Sequence, residues 1–238
     1  MGTRPAADVP ASARAATTTV GLMLVLTFST GVADAIGYLA LDKVFTGNMT
    51  GNVVILGMGV AGEDGLPVAG PLVALAAFMV GAAVGGRAQR GVPVGWRTRT
   101  TVLLVVVAAV FAGTAGYAAA RPTSYGHTEG LVVAGVIATA MGLQAAVARH
   151  VGVKDVTTVV VTSTITGLAA DSRLGSGAGQ PWVRRACAVV AIGAGALVGA
   201  LTLRVHPAVG IATSAALTVG VAAVGWWVHR DGPTVPRR

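Results

Sequence analysis

Residues 31–52 read Gly-Val-Ala-Asp-Ala-Ile-Gly-Tyr-Leu-Ala-Leu-Asp-Lys-Val-Phe-Thr-Gly-Asn-Met-Thr-Gly-Asn. The first half of this stretch ends an apolar run that starts at residue 15, and about 20 such residues are enough for a helix to cross a bilayer. Asp34 lies inside this run, and the motif Thr-Gly-Asn follows it twice, at 46–48 and 50–52. Irregular or polar backbone is tolerated at membrane depth only where protein or water surrounds it. The stretch therefore predicts a membrane-spanning helix followed by a short polar half-helix within the same membrane.

The composition of the whole chain is that of an integral membrane protein. Of its 238 residues, 54% are hydrophobic and 11% are charged, and the mean hydropathy is +0.74, whereas a soluble domain carries about 25% charged residues. These values exclude an ordinary soluble enzyme and a disordered chain. The net charge of +8 comes from arginines between apolar runs, which favours the lipid bilayer over nucleic acid as a partner. The single cysteine, Cys187, excludes an intrachain disulfide, and no motif indicates a cofactor or a metal.

Six apolar runs reach the length of a membrane-spanning helix, and two further runs do not. The six cover residues 15–33 (continuing through 41), 65–86, 100–120, 130–148, 186–203 and 205–229. Residues 44–62 and 156–170 are short and polar, which predicts half-helices or re-entrant segments. We expect one all-α membrane domain over residues 17–230, between a disordered N-terminal tail (1–16) and a C-terminal tail (231–238).

The positions of the basic residues decide between six and eight membrane crossings. With six crossings and a cytoplasmic N-terminus, fourteen of the seventeen Lys and Arg residues fall on the cytoplasmic side. The three on the opposite side are Lys43, Arg121 and Arg204. Eight crossings would divide the basic residues almost evenly. Because cytoplasmic loops are enriched in Lys and Arg, the sequence favours six crossings, with both termini in the cytoplasm of a bacterium and the domain in its inner membrane.

The two halves of the chain share short motifs in the same order. Three pairs of segments correspond: residues 31–35 with 141–145, residues 46–51 with 162–167, and residues 81–85 with 195–199. Each half would contain three crossings and one short polar segment. Because three is an odd number, repeat one (17–120) and repeat two (128–230) would insert with opposite orientations. This inverted arrangement is typical of many transporters and of some channels.

Asp34 is the one carboxylate well inside an apolar run. Placing a charge at the centre of a bilayer costs about 2.5–3.5 kcal/mol on insertion scales, so intramembrane acids usually face a cavity or a partner. Asp34 is therefore a candidate carrier of a proton or a cation, and Gln144, its neutral counterpart in the second half, is a further candidate for the same site. The alternative is a structural Asp34 that bonds to neighbouring backbone near the outer interface.

The polar residues of the two short segments are candidates for a solute- or ion-binding site. The pairs Thr46/Thr50 and Asn48/Asn52 are spaced i, i+4, so each pair shares one face of a helix. Hydroxyl and amide groups replace part of a hydration shell without adding charge. In the second segment the candidates are Thr162 and Thr166, with Thr164 between them. The alternative is that these side chains only bond across helix interfaces.

Two glycine pairs predict close contacts between helices, and motifs of enzymes are absent. The pairs Gly81/Gly85 and Gly195/Gly199 have the small-xxx-small spacing of packed membrane helices. The sequence contains no His-Glu-x-x-His, no Gly-x-Ser-x-Gly and no intramembrane pair of aspartates. We therefore expect the protein not to be an enzyme.

The motifs around Asp34 resemble those of a known family. The run Gly-x-x-Asp34-Ala-Ile-Gly-Tyr, followed by Phe45-Thr-Gly-Asn-Met-Thr-Gly-Asn and later Val161-Thr-x-Thr-Ile-Thr, is similar to the YoaK-type family of bacterial membrane proteins. At residues 162–164 this chain has Thr-Ser-Thr where the family tends to have Thr-Gly-Thr. The resemblance implies an inner-membrane protein with several spans, and it implies no particular activity.

These observations favour transport as the function. The predicted substrate is a small neutral or singly charged solute, with coupling to a proton or a cation through Asp34. A passive channel or facilitator, in which Asp34 is structural, is the alternative. A non-transporting scaffold or sensor is a third class, and the sequence leaves the oligomeric state open, a homo-oligomer included.

Overall fold

The protein is a bundle of α-helices. The computed structural model describes residues 11–63, 65–121, 125–153, 161–179 and 181–230. Within these ranges the helices are α1 (Ala11–Ala40), α2 (Met49–Val60), α3 (Ala69–Ala88), α4 (Thr98–Ala119), α5 (His127–Val151), α6 (Val161–Ala170), α7 (Trp182–Thr202) and α8 (Pro207–His229). Six of them are long and apolar enough to cross a membrane, whereas α2 and α6 are shorter apolar helices. The prediction of an all-α membrane protein with six spans and two short helices is confirmed. Helices are expected here because each satisfies its own backbone hydrogen bonds in hydrocarbon.

The first helix begins earlier than the sequence predicts. Residues 11–16, placed in the N-terminal tail by the sequence, belong to α1. Four of these six residues are alanine, which has the highest helix propensity of all residues. Residues 1–10 and 231–238 of the predicted tails, and residues 156–160 of the second short segment, lie outside the described residues.

The pairing of the helices follows one pattern in the two halves of the chain. In each half a long helix is followed by a short one and then by two long ones. The helix α3 packs along α5, and α7 packs along α1. In the same way, α4 packs on α5 and α8 on α1, while α2 lies on α3 and α6 on α7. The two last helices, α4 and α8, pack on each other. Each short helix thus lies beside the span that follows it.

Glycines allow the closest of these helix contacts. A Cβ atom added to Gly195 of α7 would overlap the backbone oxygen of Phe28 in α1, and one added to Gly81 of α3 would overlap that of Thr139 in α5. At Gly199 an added Cβ would lie 2.6 Å from the Val32 oxygen. At Gly85 the nearest atom, at 2.7 Å, would be the Cβ of Ala146. All four glycines that the sequence singled out lie on the helix-packing surfaces.

The same contacts define how α1 corresponds to α5. A Cβ on Gly31 would overlap the backbone oxygen of Ile192, and one on Gly142 would overlap that of Phe78, in the equivalent turn of α3. Gly142 therefore occupies the position of Gly31, and by the same count Ala145 occupies that of Asp34. The alignment that matched Asp34 with Gln144 is displaced by one residue. One residue turns a side chain by about 100° around a helix, so Gln144 faces a different neighbour.

Candidate functional site

The carboxylate of Asp34 lies at the centre of the polar region that the sequence predicted. Asp34 is 7% exposed and lies in the second-last turn of α1. Its Oδ1 accepts hydrogen bonds from the backbone N of Gly47 at 2.6 Å and of Asn48 at 3.3 Å. The hydroxyl of Thr46, which is fully buried, donates to the same oxygen at 3.4 Å. The polar segment thus folds back onto the helix that precedes it.

A tight reversal of the chain after α1 produces this arrangement. Asp42 and Lys43 both adopt left-handed backbone conformations, with φ of 66° and 53°, which residues other than glycine, Asn and Asp rarely adopt. After the reversal, the backbone N of Val44 donates to the oxygen of Gly37 at 3.4 Å. A Cβ on Gly37 would overlap the Val44 oxygen. Residues 44–48 therefore return alongside α1 only because residue 37 is glycine.

Gly47 brings the returning segment against two long helices at once. An added Cβ would lie 2.9 Å from Cγ2 of Thr30 in α1 and 3.0 Å from Cε of Met141 in α5. Oδ1 of Asp34 would be 3.4 Å away from it. Glycine at this position lets the backbone N–H reach the carboxylate.

The N-terminus of α2 begins at this same point. Asn48 is its N-cap, and its side-chain oxygen accepts from the backbone N of Gly51 at 3.2 Å. Side-chain oxygens at N-caps bond the backbone N–H groups that a helix leaves unpaired. The carboxylate of Asp34 meets the amides that lead into the helix, where a negative charge is favourable. Asp34 and Asn48 together stabilise the start of α2.

Asn52 supports the segment from the other side. Its Oδ1 accepts from the backbone N of Phe45 at 2.9 Å, and its Nδ2 donates to the backbone oxygen of Phe45 at 2.6 Å. The side chain is fully buried. It therefore lies outside the lining of the cavity described next, and it holds the loop in shape.

A cavity of about 570 Å³ lies where α1, the returning segment, α2, α6 and α7 meet. Both short helices line it: α2 through Asn48 and Thr50 at its start, and α6 through Val161 and Thr162, its first described residues. Ile192 contributes a wall from the middle of α7. The remaining lining residues are Asp34, Tyr38, Phe45, Gly47, Gly51, Val54 and Ile55. The cavity joins polar groups from both halves of the chain.

The cavity includes four of the eight residues that the sequence proposed for binding. These are Asp34, Asn48, Thr50 and Thr162. Thr46 lies behind the cavity wall, bonded to Asp34. Thr166 lies one turn beyond Thr162 on α6, and its hydroxyl donates to the Thr162 oxygen at 3.0 Å. The other two predicted residues, Asn52 and Gln144, are not among the lining residues.

Gln144 is fully buried between α5 and α1. Its Nε2 donates to Oγ1 of Thr30 at 3.3 Å and approaches the oxygen of Leu26 at 3.5 Å. Within the described ranges, its Oε1 has no hydrogen-bond partner. Thr30 lies one turn before Asp34 on α1, so Gln144 extends the polar contacts of the site along α1 without reaching the cavity.

Sequence reasoning missed the aromatic part of the site. The rings of Tyr38 and Phe45 stack with centroids 5.0 Å apart and planes inclined by 23°, and both line the cavity. The chain contains only three Tyr and four Phe residues. Two of these seven lie between Asp34 and the first Thr-Gly-Asn motif, and this signal could have identified them.

Few of the described residues that line the cavity carry an ionisable group. Among its described lining residues, the ionisable side chains are Asp34 and Tyr38. Nowhere in the described ranges do three His, Cys, Asp or Glu residues come close enough together to hold a metal ion. The arrangement offers one carboxylate, two aromatic rings and several uncharged hydroxyl and amide groups to a bound molecule.

Comparisons with known proteins place this fold in a family. The family described as "Protein of unknown function (DUF1275)" matches residues 22–224 of the chain. The chain is also 30% identical over 154 residues to the UPF0700 transmembrane protein YoaK of Bacillus subtilis (strain 168). That match covers 63% of this chain and 65% of the relative, so the chain spans less than two thirds of the relative's length. No solved structure matches the chain.

Proposed function

The chain belongs to the DUF1275 family of membrane-spanning proteins, and we propose that it transports a small solute through the cavity beside Asp34. The family membership confirms the resemblance to YoaK-type proteins. The family is described as one of unknown function, so the proposed activity depends on the cavity and its surroundings.

The observation that carries this proposal is the meeting of two short helices at one cavity. Short helices that meet at a shared site within a membrane are typical of the substrate sites of secondary transporters. The volume of about 570 Å³ lies in the range of about 300–1,000 Å³ that is common for small-molecule sites. The uncharged polar groups of Asn48, Thr50 and Thr162 suit a solute that is neutral or carries a single charge.

The matching order and pairing of the helices support two inverted repeats. Among the described residues, each half contains three long helices and one short helix, and the contacts of Gly31 with α7 are repeated by those of Gly142 with α3. Three crossings per half would give the two halves opposite orientations. The bias of basic residues supports cytoplasmic termini and a bacterial inner membrane. The cavity would then lie between two repeats that rock against each other.

Asp34 is the candidate coupling residue of this transporter. It is the one carboxylate among the described lining residues, and the other ionisable group there is the phenol of Tyr38. A carboxylate that binds a proton or a cation in one step and releases it in another would couple that ion to the solute.

A specific observation favours the runner-up, a passive facilitator. Oδ1 of Asp34 already accepts bonds from the loop before α2, and a purely structural carboxylate would make the same bonds. In that case Asp34 shapes the cavity and couples nothing, and the solute crosses down its own gradient.

Flux measurements with reconstituted protein separate the two proposals. Proteoliposomes would be given radiolabelled choline, alanine, glycerol or urea, with and without a pH gradient, and compared with protein-free vesicles. A coupled carrier accumulates one of these solutes when the gradient is present, and Asp34→Asn abolishes accumulation while keeping exchange. A facilitator equilibrates the solute whether or not the gradient is present, and Asp34→Asn keeps that flux.

The matched control for these measurements is Glu129→Gln. Glu129 accepts from the Tyr117 hydroxyl at 2.7 Å and pairs with Arg121 at 3.6 Å, and it does not line the cavity. This variant should transport like the native protein. If none of the solutes crosses faster than through protein-free vesicles, transport of these solutes is contradicted and a scaffold or sensor is favoured.

A further inference from the structure

The geometry of the cavity points to a particular class of solute: a small organic cation with one ammonium group and an apolar body. This inference rests on the proposed transport function and narrows its substrate. Three features of the described residues carry it: the sign of the charge in the cavity, the use of the helix-terminal amides, and the aromatic wall.

The sign of the charge in the cavity favours a cation. Asp34 is the one described lining residue with a carboxyl group, and the described lining includes no Lys, Arg or His. Electrostatic interactions are stronger away from water, because the surrounding dielectric constant is lower there. A single carboxylate in such a place attracts a cation and repels an anion, and its charge matches one ammonium group.

Some of the amides at the start of α2 already donate to acceptors of the protein itself. Helix N-termini are anion sites because their backbone N–H groups are unpaired and carry partial positive charge. Before α2 and in its first turn, several amides meet protein acceptors: those of Gly47 and Asn48, which precede the first helical residue, donate to Oδ1 of Asp34, and that of Gly51 donates to the Asn48 side chain. The protein therefore supplies its own negative charge beside the start of α2, which makes that end of the cavity less favourable for an anionic solute.

The aromatic wall suits the organic part of such a cation. Tyr38 and Phe45 stack against each other, and the Phe45 ring is held by α2, because a Cβ on Gly51 would lie 2.7 Å from its Cδ2. Aromatic faces attract ammonium groups through their quadrupoles, and quaternary ammonium ligands are often bound in this way. Val54, Ile55 and Ile192 add aliphatic surface on other sides.

A set of three ligands of nearly equal shape tests this inference directly. Choline is a cation, 3,3-dimethylbutan-1-ol is its neutral analogue, and 3,3-dimethylbutanoate is an anion. Their binding to the purified full chain in detergent would be measured by isothermal titration calorimetry. We expect choline to bind about tenfold or more tightly than the alcohol, the difference that a cation–π contact and a carboxylate together provide, and the anion not to bind.

Variants of the two recognising groups sharpen the test. Asp34→Asn keeps an oxygen that accepts from Gly47 and Asn48, and it should remove the preference for choline while leaving binding of the alcohol unchanged. Tyr38→Leu removes one aromatic face, and it should weaken choline more than the alcohol. Glu129→Gln, the carboxylate outside the cavity, should bind all three ligands like the native protein.

The outcomes separate this inference from the transport proposal. Equal binding of choline and the alcohol, tighter binding of the anion, or no binding of choline would each overturn the cation inference. If proteoliposomes nevertheless carry glycerol, urea or alanine, the transport proposal stands with a different substrate class. If no solute binds and none crosses, both proposals fail together.

Discussion

Single residues decide whether the polar segment can fold back against α1. One of them is Gly47, where an added Cβ would lie against Thr30 of α1 and Met141 of α5 at once. Gly47→Ala should lower the stability of the protein by about 1–3 kcal/mol, the usual cost of overpacking a filled site. The midpoint of thermal unfolding in detergent measures this effect.

A second glycine of the same region provides the control for Gly47→Ala. Gly57 lies in the interior of α2, and an added Cβ would meet no atom within 4 Å. Since alanine is a better helix former than glycine by about 1 kcal/mol, Gly57→Ala should leave the protein unchanged or stabilise it slightly. Equal loss of stability in both variants would show that the loss at Gly47 does not come from its close contacts.

Asn52 tests whether the loop before α2 is held by its side chain. In Asn52→Asp the carboxylate keeps the acceptor for the Phe45 N–H but loses the donor to the Phe45 oxygen. We expect a loss of about 1–3 kcal/mol, since a buried acceptor then lacks its partner. Asn48→Asp is the matched control for stability: Asp serves as well as Asn at an N-cap, so its unfolding midpoint should hardly change. A stable Asn52→Asp protein would contradict the structural role of Asn52.

At the scale of helices, the glycines of α7 determine how closely it packs on α1. Gly195→Ala would drive a Cβ into the backbone oxygen of Phe28, which cannot rotate away as a flexible side chain could. We expect this variant to lose monodispersity and thermal stability in detergent, both measurable by size-exclusion chromatography and a thermal ramp. Gly193→Ala, two residues earlier on the same helix with nothing within 4 Å, should behave like the native protein. If the two variants behave alike, the close α1–α7 contact does not contribute to stability.

At the scale of the whole molecule, the proposed opposite orientation of the two halves can be tested by labelling. Glu63 and Ser176 lie in exposed loops that follow α2 and α6, so they occupy corresponding places in the two halves. In a Cys187→Ala background, Glu63→Cys should react with a membrane-impermeant thiol reagent on intact cells. Ser176→Cys should react only after the membrane is opened, because inverted halves place the two loops on opposite sides.

Two controls complete the labelling experiment. Cys187→Ala alone should show no labelling, because this substitution removes the single cysteine of the chain, which is exposed in the native protein. Labelling of both introduced cysteines on intact cells, or of neither, would make the halves parallel and remove the argument for two facing half-helices. The transport assays with Asp34→Asn would then have to be interpreted without a repeat symmetry.

Much of the architecture could be predicted from the sequence, while the site could be predicted only in part. Asp34, Asn48, Thr50 and Thr162 do line one cavity. Asn52 is the same residue type as Asn48 and lies one helical turn after it. Its side chain instead bonds the backbone of Phe45. Spacing along a helix shows which residues share a face, but it does not show what that face contacts.

The sequence by itself determined the six spans, the two short helices and the presence of a buried carboxylate. These properties follow from local hydropathy and length, because a helix needs about 20 mostly apolar residues to cross the hydrocarbon and a shorter, more polar run does not suffice. Only the tertiary structure decided that α3 pairs with α5 and α7 with α1, that Gln144 turns away from the cavity, and that Tyr38 and Phe45 form its wall. These outcomes depend on the rotation of each helix about its own axis. That rotation is determined by close glycine contacts between distant parts of the chain, and no local pattern in the sequence contains it.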